Sequence, residues 1–421
     1  MTRKDFLIGA SAATAQGVFG IGCRGLGGDG GPTVWESGHY QVHFIYTGRG
    51  ECMFHVFPDG TSLLLDCGDF MGYYGTPAAV PIPDLSCRAG EFAARYIRRV
   101  NPKGTKVDYL HLSHYHSDHC GGMKYHDGLL PDGRPLCGLS DVARFLSFGR
   151  VVDRAWPGFD DPVDKLGSSG KDDGSARHMK LLCRYLADAQ GSRIEKFELG
   201  SRRQFVQLDA ANAHPGFEVF NLCANGRYVR KDGSVADPYA ARVAKGAKSL
   251  NENGMSCGIV VKYGKFSFFS AGDFSDGPWA KECPQQIENM LAEAVSPVTV
   301  AKLNHHGHHS NFRELVKALR PRVWTACVLD QQHCTDDTMT RLSDRSLYEG
   351  DRLLLPEYMP HDRPKTEFGT AYLKDVPKCV YDEPCHVVLD VDAGGDSYSL
   401  SCLSAMRSDL RMVKRFEFET A

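Results

Sequence analysis

One six-residue string, His114-Tyr115-His116-Ser117-Asp118-His119, puts three imidazoles and a carboxylate close together. Imidazole nitrogens and carboxylate oxygens are borderline-to-hard donors, suited to zinc and its first-row relatives. His114 and His116 stand two positions apart and can point to one side as the chain leaves a strand. Asp118 and His119 then lie past the turn, able to serve a second ion. Two ions a few ångström apart can share a water and make it hydroxide near neutral pH. More donors are needed downstream. Asp273 ends the apolar run Phe266–Asp273, and the string Asn304-His305-His306-Gly307-His308-His309 follows another. A carboxylate or imidazole at a strand's end reaches the same rim as the first motif. His308 and His309 read as surface or supporting residues.

The elements that must position these groups are short apolar strands separated by turns. Gln41–Thr47, Cys52–Phe57 and Ser62–Asp66 read as a meander, and Lys106–Ser113 as a strand running into the first motif. Residues 92–100 close an amphipathic helix, and Arg177–Ala189 is another helical stretch. Strands return at Gly258–Tyr263, Phe266–Ala271, Val298–Leu303, Arg322–Val328, His386–Val391 and Tyr398–Leu403. Helices are expected at Gln285–Ala294 and Asn311–Leu319. Sheet runs alternating with helices suit two sheets packed face to face with helices outside. The stretch near 137–200 reads as a helical and looped insert.

The 421 residues are 42% hydrophobic and 24% charged, which excludes disordered, collagen-like and coiled-coil chains. A formal charge of -3 gives no global support to nucleic-acid binding. Residues 1–22 read as an export signal of the twin-arginine kind, with Lys4 where that motif has its second Arg. Cys23 is a candidate for lipid attachment, and 23–37 form a Gly-rich tether. The domain of interest then spans 38–421. These features imply a bacterial protein that is exported, periplasmic or tethered to a membrane as a lipoprotein. The 15 cysteines form no zinc-finger pattern, and several sit in apolar runs as small buried thiols. Cys67 and Cys120 flank the metal-type motifs without an independent His partner, which disfavours a thiol enzyme.

The chain resembles the metallo-β-lactamase superfamily, and within it the branch containing the metal-binding domain of the competence protein ComEC. Four blocks carry the likeness, over about residues 38–405: Val42–Ile45 with Gly48-Arg49-Gly50-Glu51 and Leu65-Asp66-Cys67-Gly68; the HxHxDH string; Asn253 through Tyr263-Gly264 to Gly272-Asp273; and His305-His306-Gly307 followed by a strand and Gln332-His333. The resemblance implies an α/β fold, an αββα sandwich of two mixed sheets with outer helices, its site at the strand ends. It implies two zinc ions, with manganese or iron as substitutes. His114 and His116 would hold the first ion, Asp118, His119 and His305 the second, and Asp273 would bridge them. The third His that members often supply to the first ion has no match; His178 and His214 lie in that interval and read as structural.

The implied activity is that of a metallo-hydrolase. A metal-bound hydroxide attacks a phosphodiester or other ester-like centre. Asp118 orients it, and His306 or His308 protonates the leaving group. Asp66 braces a ligating imidazole from behind, with His308 and His333 supporting at the mouth. Arg49, Lys124 and Lys302 are candidate phosphate contacts. Other readings are a lactone or β-lactam hydrolase, and an exported binding protein with a structural metal.

Overall fold

The computed structural model describes residues 34–70, 80–124, 126–167, 174–276, 285–329, 333–359 and 375–421. The export-type leader, Cys23, most of the tether and Gln332 lie outside the described residues.

The chain is α/β, with two mixed sheets. The first contains β1 (Tyr40–Phe44), β2 (Cys52–Val56), β3 (Ser62–Cys67), β4 (Lys106–His111), β5 (Ser147–Asp153) and β6 (Arg193–Lys196). The second contains β7 (Phe217–Ala224), β8 (Arg227–Val229), β9 (Val235–Ala236), β10 (Gly258–Tyr263), β11 (Phe266–Ser270), β12 (Val300–Lys302), β13 (Val323–Ala326) and β14 (Leu353–Pro356). β15 (Cys385–Val391), β16 (Ser397–Ser404) and β17 (Met412–Glu419) return to the first sheet. Its order is β17-β16-β15-β1-β2-β3-β4-β5-β6; the other runs β14-β13-β12-β11-β10-β7-β8-β9.

Period-two alternation explains how the sheets meet. In β1, Tyr40, Val42 and Phe44 face the second sheet, where Phe44 packs on Phe268 with ring centroids 6.1 Å apart. The opposite face of β1 carries His43, whose Nδ1 lies 3.0 Å from the Tyr96 hydroxyl of helix α1 (Ala89–Val100). Strands covered on both sides are apolar throughout, as Leu63, Leu64 and Leu65 show. Helices α2 (Ser117–Cys120), α3 (Gly138–Val142) and α4 (Ser175–Gln190) lie on the first sheet's side. After α5 (Ala240–Ala244), helices α6 (Ile287–Leu291), α7 (Arg313–Leu319) and α8 (Asp336–Ser343) pack by the second sheet. Helix α9 (Cys379–Asp382) precedes β15.

The stretch 137–200 departs from the expected insert. Its α4 is flanked by β5 and β6, which extend the first sheet in parallel beyond β4. No helix among the described residues is long and apolar enough to cross a membrane.

Parallel pairing decides where the chemistry lies. β3 pairs parallel with β4 in one sheet, and β11 with β12 in the other. Their carboxyl ends lead to Asp66, His114, Asp273 and His306. Two glycines let the motif dock. A Cβ on Gly68 would stand 1.9 Å from the backbone oxygen of Asp118, and one on Gly50 (φ +154) 2.4 Å from it. In their absence the Glu51 amide donates to that oxygen at 2.8 Å.

Candidate metal centre

Three imidazoles share one posture. His119 Nδ1 donates to Asp66 Oδ2 at 2.7 Å, and His306 Nδ1 donates to the Cys327 carbonyl at 3.1 Å. His114 Nδ1 donates to Ser113 Oγ at 3.1 Å, while that hydroxyl donates to Asp66 Oδ2 at 2.6 Å. A carboxylate or carbonyl can only accept, so each bond places a ring proton on Nδ1 and leaves Nε2 as the atom turned into the site. Those Nε2 atoms converge on the carboxylate of Asp273: 3.8 Å from His114, 3.3 Å from His119 and 3.6 Å from His306. An imidazole tied through one nitrogen and aimed with the other is the form a metal ligand takes.

Two groups of donors, each with ligand atoms within 4.8 Å of one another, emerge. One is Glu51, His119, Asp273 and His306; the other is His114, His116 and Asp273. Asp273 is common to both. Both of its oxygens and His119 Nε2 are buried without a hydrogen-bond partner, as is Glu51 Oε1. Buried polar atoms in that state are costly unless something else satisfies them. A divalent cation does so with the nitrogen and oxygen donors present, so the residues fit a metal ion.

Asp118, expected as a ligand of the second ion, stands beside these groups but in neither of them. Its Oδ2 accepts from His306 Nε2 at 3.1 Å and stands 3.9 Å from His119 Nε2. Burial works against charge on His119, yet Asp273, Asp118 and Asp66 raise its pKa well above the ordinary imidazole value. The pocket thus favours positive charge at its centre.

The structure exchanges two neighbours. His305, expected as a ligand, stands outside both donor groups, and His306, expected to serve as a proton donor, stands inside one. The backbone is the reason. His305 and His306 have φ of 49° and 54°, a left-handed turn in which His306 is seated against Cys327. His305 packs edge-on to His308 at 5.3 Å between ring centroids; burial pushes its pKa down to about 4. His333 stacks on His306 at 5.3 Å, and His308 meets His333 at 5.0 Å. His309 turns to Asp337, 2.9 Å away.

Asp66 sits behind the site. Besides His119 and the Ser113 hydroxyl, it accepts the Ser113 amide at 2.7 Å. His178 on α4 bonds Ser140 of α3 at 2.6 Å, and the His214 ring lies beside Gly38, 3.1 Å from where a Cβ there would stand, so neither joins His114 and His116. Two cations expected to meet phosphate are engaged internally. Arg49 pairs with Asp69 at 3.1 Å, and fully buried Lys302 pairs with Glu51 at 2.7 Å. Burial lowers the Lys302 pKa, but Glu51 outweighs it and holds it at about 12.

Glu51 and Ser113 were not singled out from sequence as site residues. Glu51 has a signal, a carboxylate directly after the Gly48-Arg49-Gly50 turn. Ser113 has only its place between the strand and His114. Compared with known proteins, the chain matches no family model and no curated protein.

Proposed function

We propose that this protein is a metal-dependent hydrolase of the metallo-β-lactamase type, acting on phosphodiesters or other ester-like substrates. One observation carries the reading. Asp273 is shared by two donor groups that meet where the two sheets' strand ends face each other. Such a shared carboxylate suits a pair of ions, zinc first among them. The metal, when bound, supplies Lewis acidity to the substrate oxygen and lowers the pKa of a water.

The chain's own groups do the rest. His114 and His116 form the first donor pair with Asp273. His119 and His306, with Glu51, form the second. Asp118, whose side chain is 15% exposed, is the least enclosed of the central carboxylates. Its role in this reading is to orient the attacking water. His308, half-buried beside His333, is the imidazole offered to the leaving group in place of His306. The substrate class rests on the resemblance, because Arg49 and Lys302 are already paired.

The test uses the full chain loaded with zinc or manganese. Turnover of bis-p-nitrophenyl phosphate should appear with metal and fall at least about 100-fold in Asp273→Asn and Asp118→Ala proteins that keep their far-ultraviolet spectrum. Metal-dependent melting without turnover of any phosphodiester, ester or lactone would refute the hydrolase and favour a binding protein.

A further inference from the structure

Away from the metal centre, three thiols converge where α9 enters β15. Cys379 Sγ lies 3.8 Å from Cys402 Sγ, sharing a hydrogen bond. Cys385 is also within hydrogen-bond reach of Cys402. Strand register separates the two candidate partners. Cys402 pairs directly with Val387, so Cys385 is its diagonal neighbour. Diagonal Cα atoms stand about 7–8 Å apart, beyond what a disulfide spans without backbone movement. Cys379, on the short helix outside the sheet, is under no such register constraint. Cys402 is buried and Cys379 is partly exposed, so an oxidant meets Cys379 first.

We propose that Cys379 is a peroxide-reactive thiol and Cys402 its resolving partner, forming a reversible disulfide that ties α9 to β16. Lys414 is the direct cross-strand neighbour of Cys402. The bond to Cys402 comes first, and the Lys414 ammonium adds to it, in holding the Cys379 thiol below its ordinary value against burial. A thiolate is the attacking species in such chemistry. Cys87, also partly exposed, offers the contrast: its neighbour is the Ser86 hydroxyl, and burial raises its pKa.

The chemistry balances with hydrogen peroxide as oxidant. The Cys379 thiolate attacks one peroxide oxygen, the O–O bond breaks, and hydroxide leaves. Cys379 is then a sulfenic acid. Cys402 sulfur attacks it, the S–O bond breaks, and the departing oxygen takes up the Cys402 proton and leaves as water. Two thiols are oxidised and one peroxide is reduced. A dithiol reductant restores both thiols by exchange and is itself oxidised to its disulfide.

Hydrogen peroxide applied to the metal-free, reduced full chain tests this. The expected result is a loss of about 2 Da, two fewer alkylatable thiols, and a reducible cross-link mapping to Cys379 and Cys402. The melting midpoint should rise by roughly 2–5 °C, because the bond closes a loop in the unfolded chain. Cys402→Ser should stop at a sulfenic acid on Cys379, captured by dimedone. Cys379→Ser, at a partly exposed position that tolerates the change, should keep Cys402 reduced even if the Cys402 variant does not fold. A cross-link joining Cys402 to Cys385, or Cys379 remaining a free thiol while other cysteines oxidise, overturns the proposal.

Discussion

His305 and His306 are chemically identical and adjacent, so only the backbone between them decides which ring faces Asp273. Both occupy the left-handed region, and such residues cost of order 1–3 kcal/mol each. The Cys327 carbonyl offsets part of that cost by fixing His306 through Nδ1. This gives a paired prediction. His306→Ala should weaken metal binding by more than about 100-fold, beyond the 10–100-fold typical of residues that merely orient a ligand. His305→Ala should change it by less than that range. Equilibrium dialysis with zinc, read by metal content per chain, checks both, and equal losses would mean that the turn reorganises when metal binds. The HxHxDH spacing and the strand-end Asp273 were legible because donor type and spacing alone make them candidates. The choice of His306 was not legible, since φ at a non-glycine residue leaves no mark in the sequence. Nor was Glu51, whose side chain reaches the site only because the hairpin carrying Gly50 docks on Asp118.

At the scale of elements, Glu288 on α6 holds the histidine turn in place. It accepts from the Asn304 side chain at 2.8 Å and from the Asn311 amide at 3.0 Å. Full burial raises its pKa to about 8, despite those bonds. An unfolded chain releases that proton near 4.5. Between those values the folded state binds more protons than the unfolded one, so stability falls as pH rises. The whole effect is about 5 kcal/mol at the outside. Glu288→Gln, which keeps an accepting oxygen, should flatten the fall, measured as melting midpoint against pH from 5 to 9; an unchanged slope would remove Glu288 as its source. The strands feeding this region were legible from their apolar runs: Lys106–Ser113 was expected where β4 stands, and Phe266–Ala271 where β11 stands. β5 and β6 were not. β6 is the four-residue sequence Arg-Ile-Glu-Lys at a sheet edge, where half-exposed polar side chains erase the alternation. β17 is masked in the same way by Lys414, Arg415, Glu417 and Glu419.

At the scale of the whole molecule, groups from both sheets meet at the candidate metal centre. Glu51, Asp66, His114, His116, Asp118 and His119 come from the first, and Lys302, Asp273 and His306 from the second. Four of these are carboxylates, and Lys302 is paired with one of them. A chain stripped of metal therefore leaves these buried carboxylates to be balanced by Lys302 and by the imidazoles that face them across the seam between its sheets. Protonation of His119 is the relief open to it. Because the folded pKa of His119 is raised above 6.5, that relief is complete below 6.5 and is lost as pH climbs through the raised value. With metal bound, Nε2 is engaged and this dependence vanishes. Chelation should thus lower the melting midpoint, and the gap between loaded and stripped protein should widen as pH rises from 6 to 9. At a free zinc level 100 times the dissociation constant, binding contributes about 2.7 kcal/mol. Asp273→Asn removes the carboxylate common to both donor groups, so it should shrink the gained stability on adding zinc. A gap that is constant with pH, or an Asp273→Asn protein that still gains the full increment, would show that the seam does not depend on a cation.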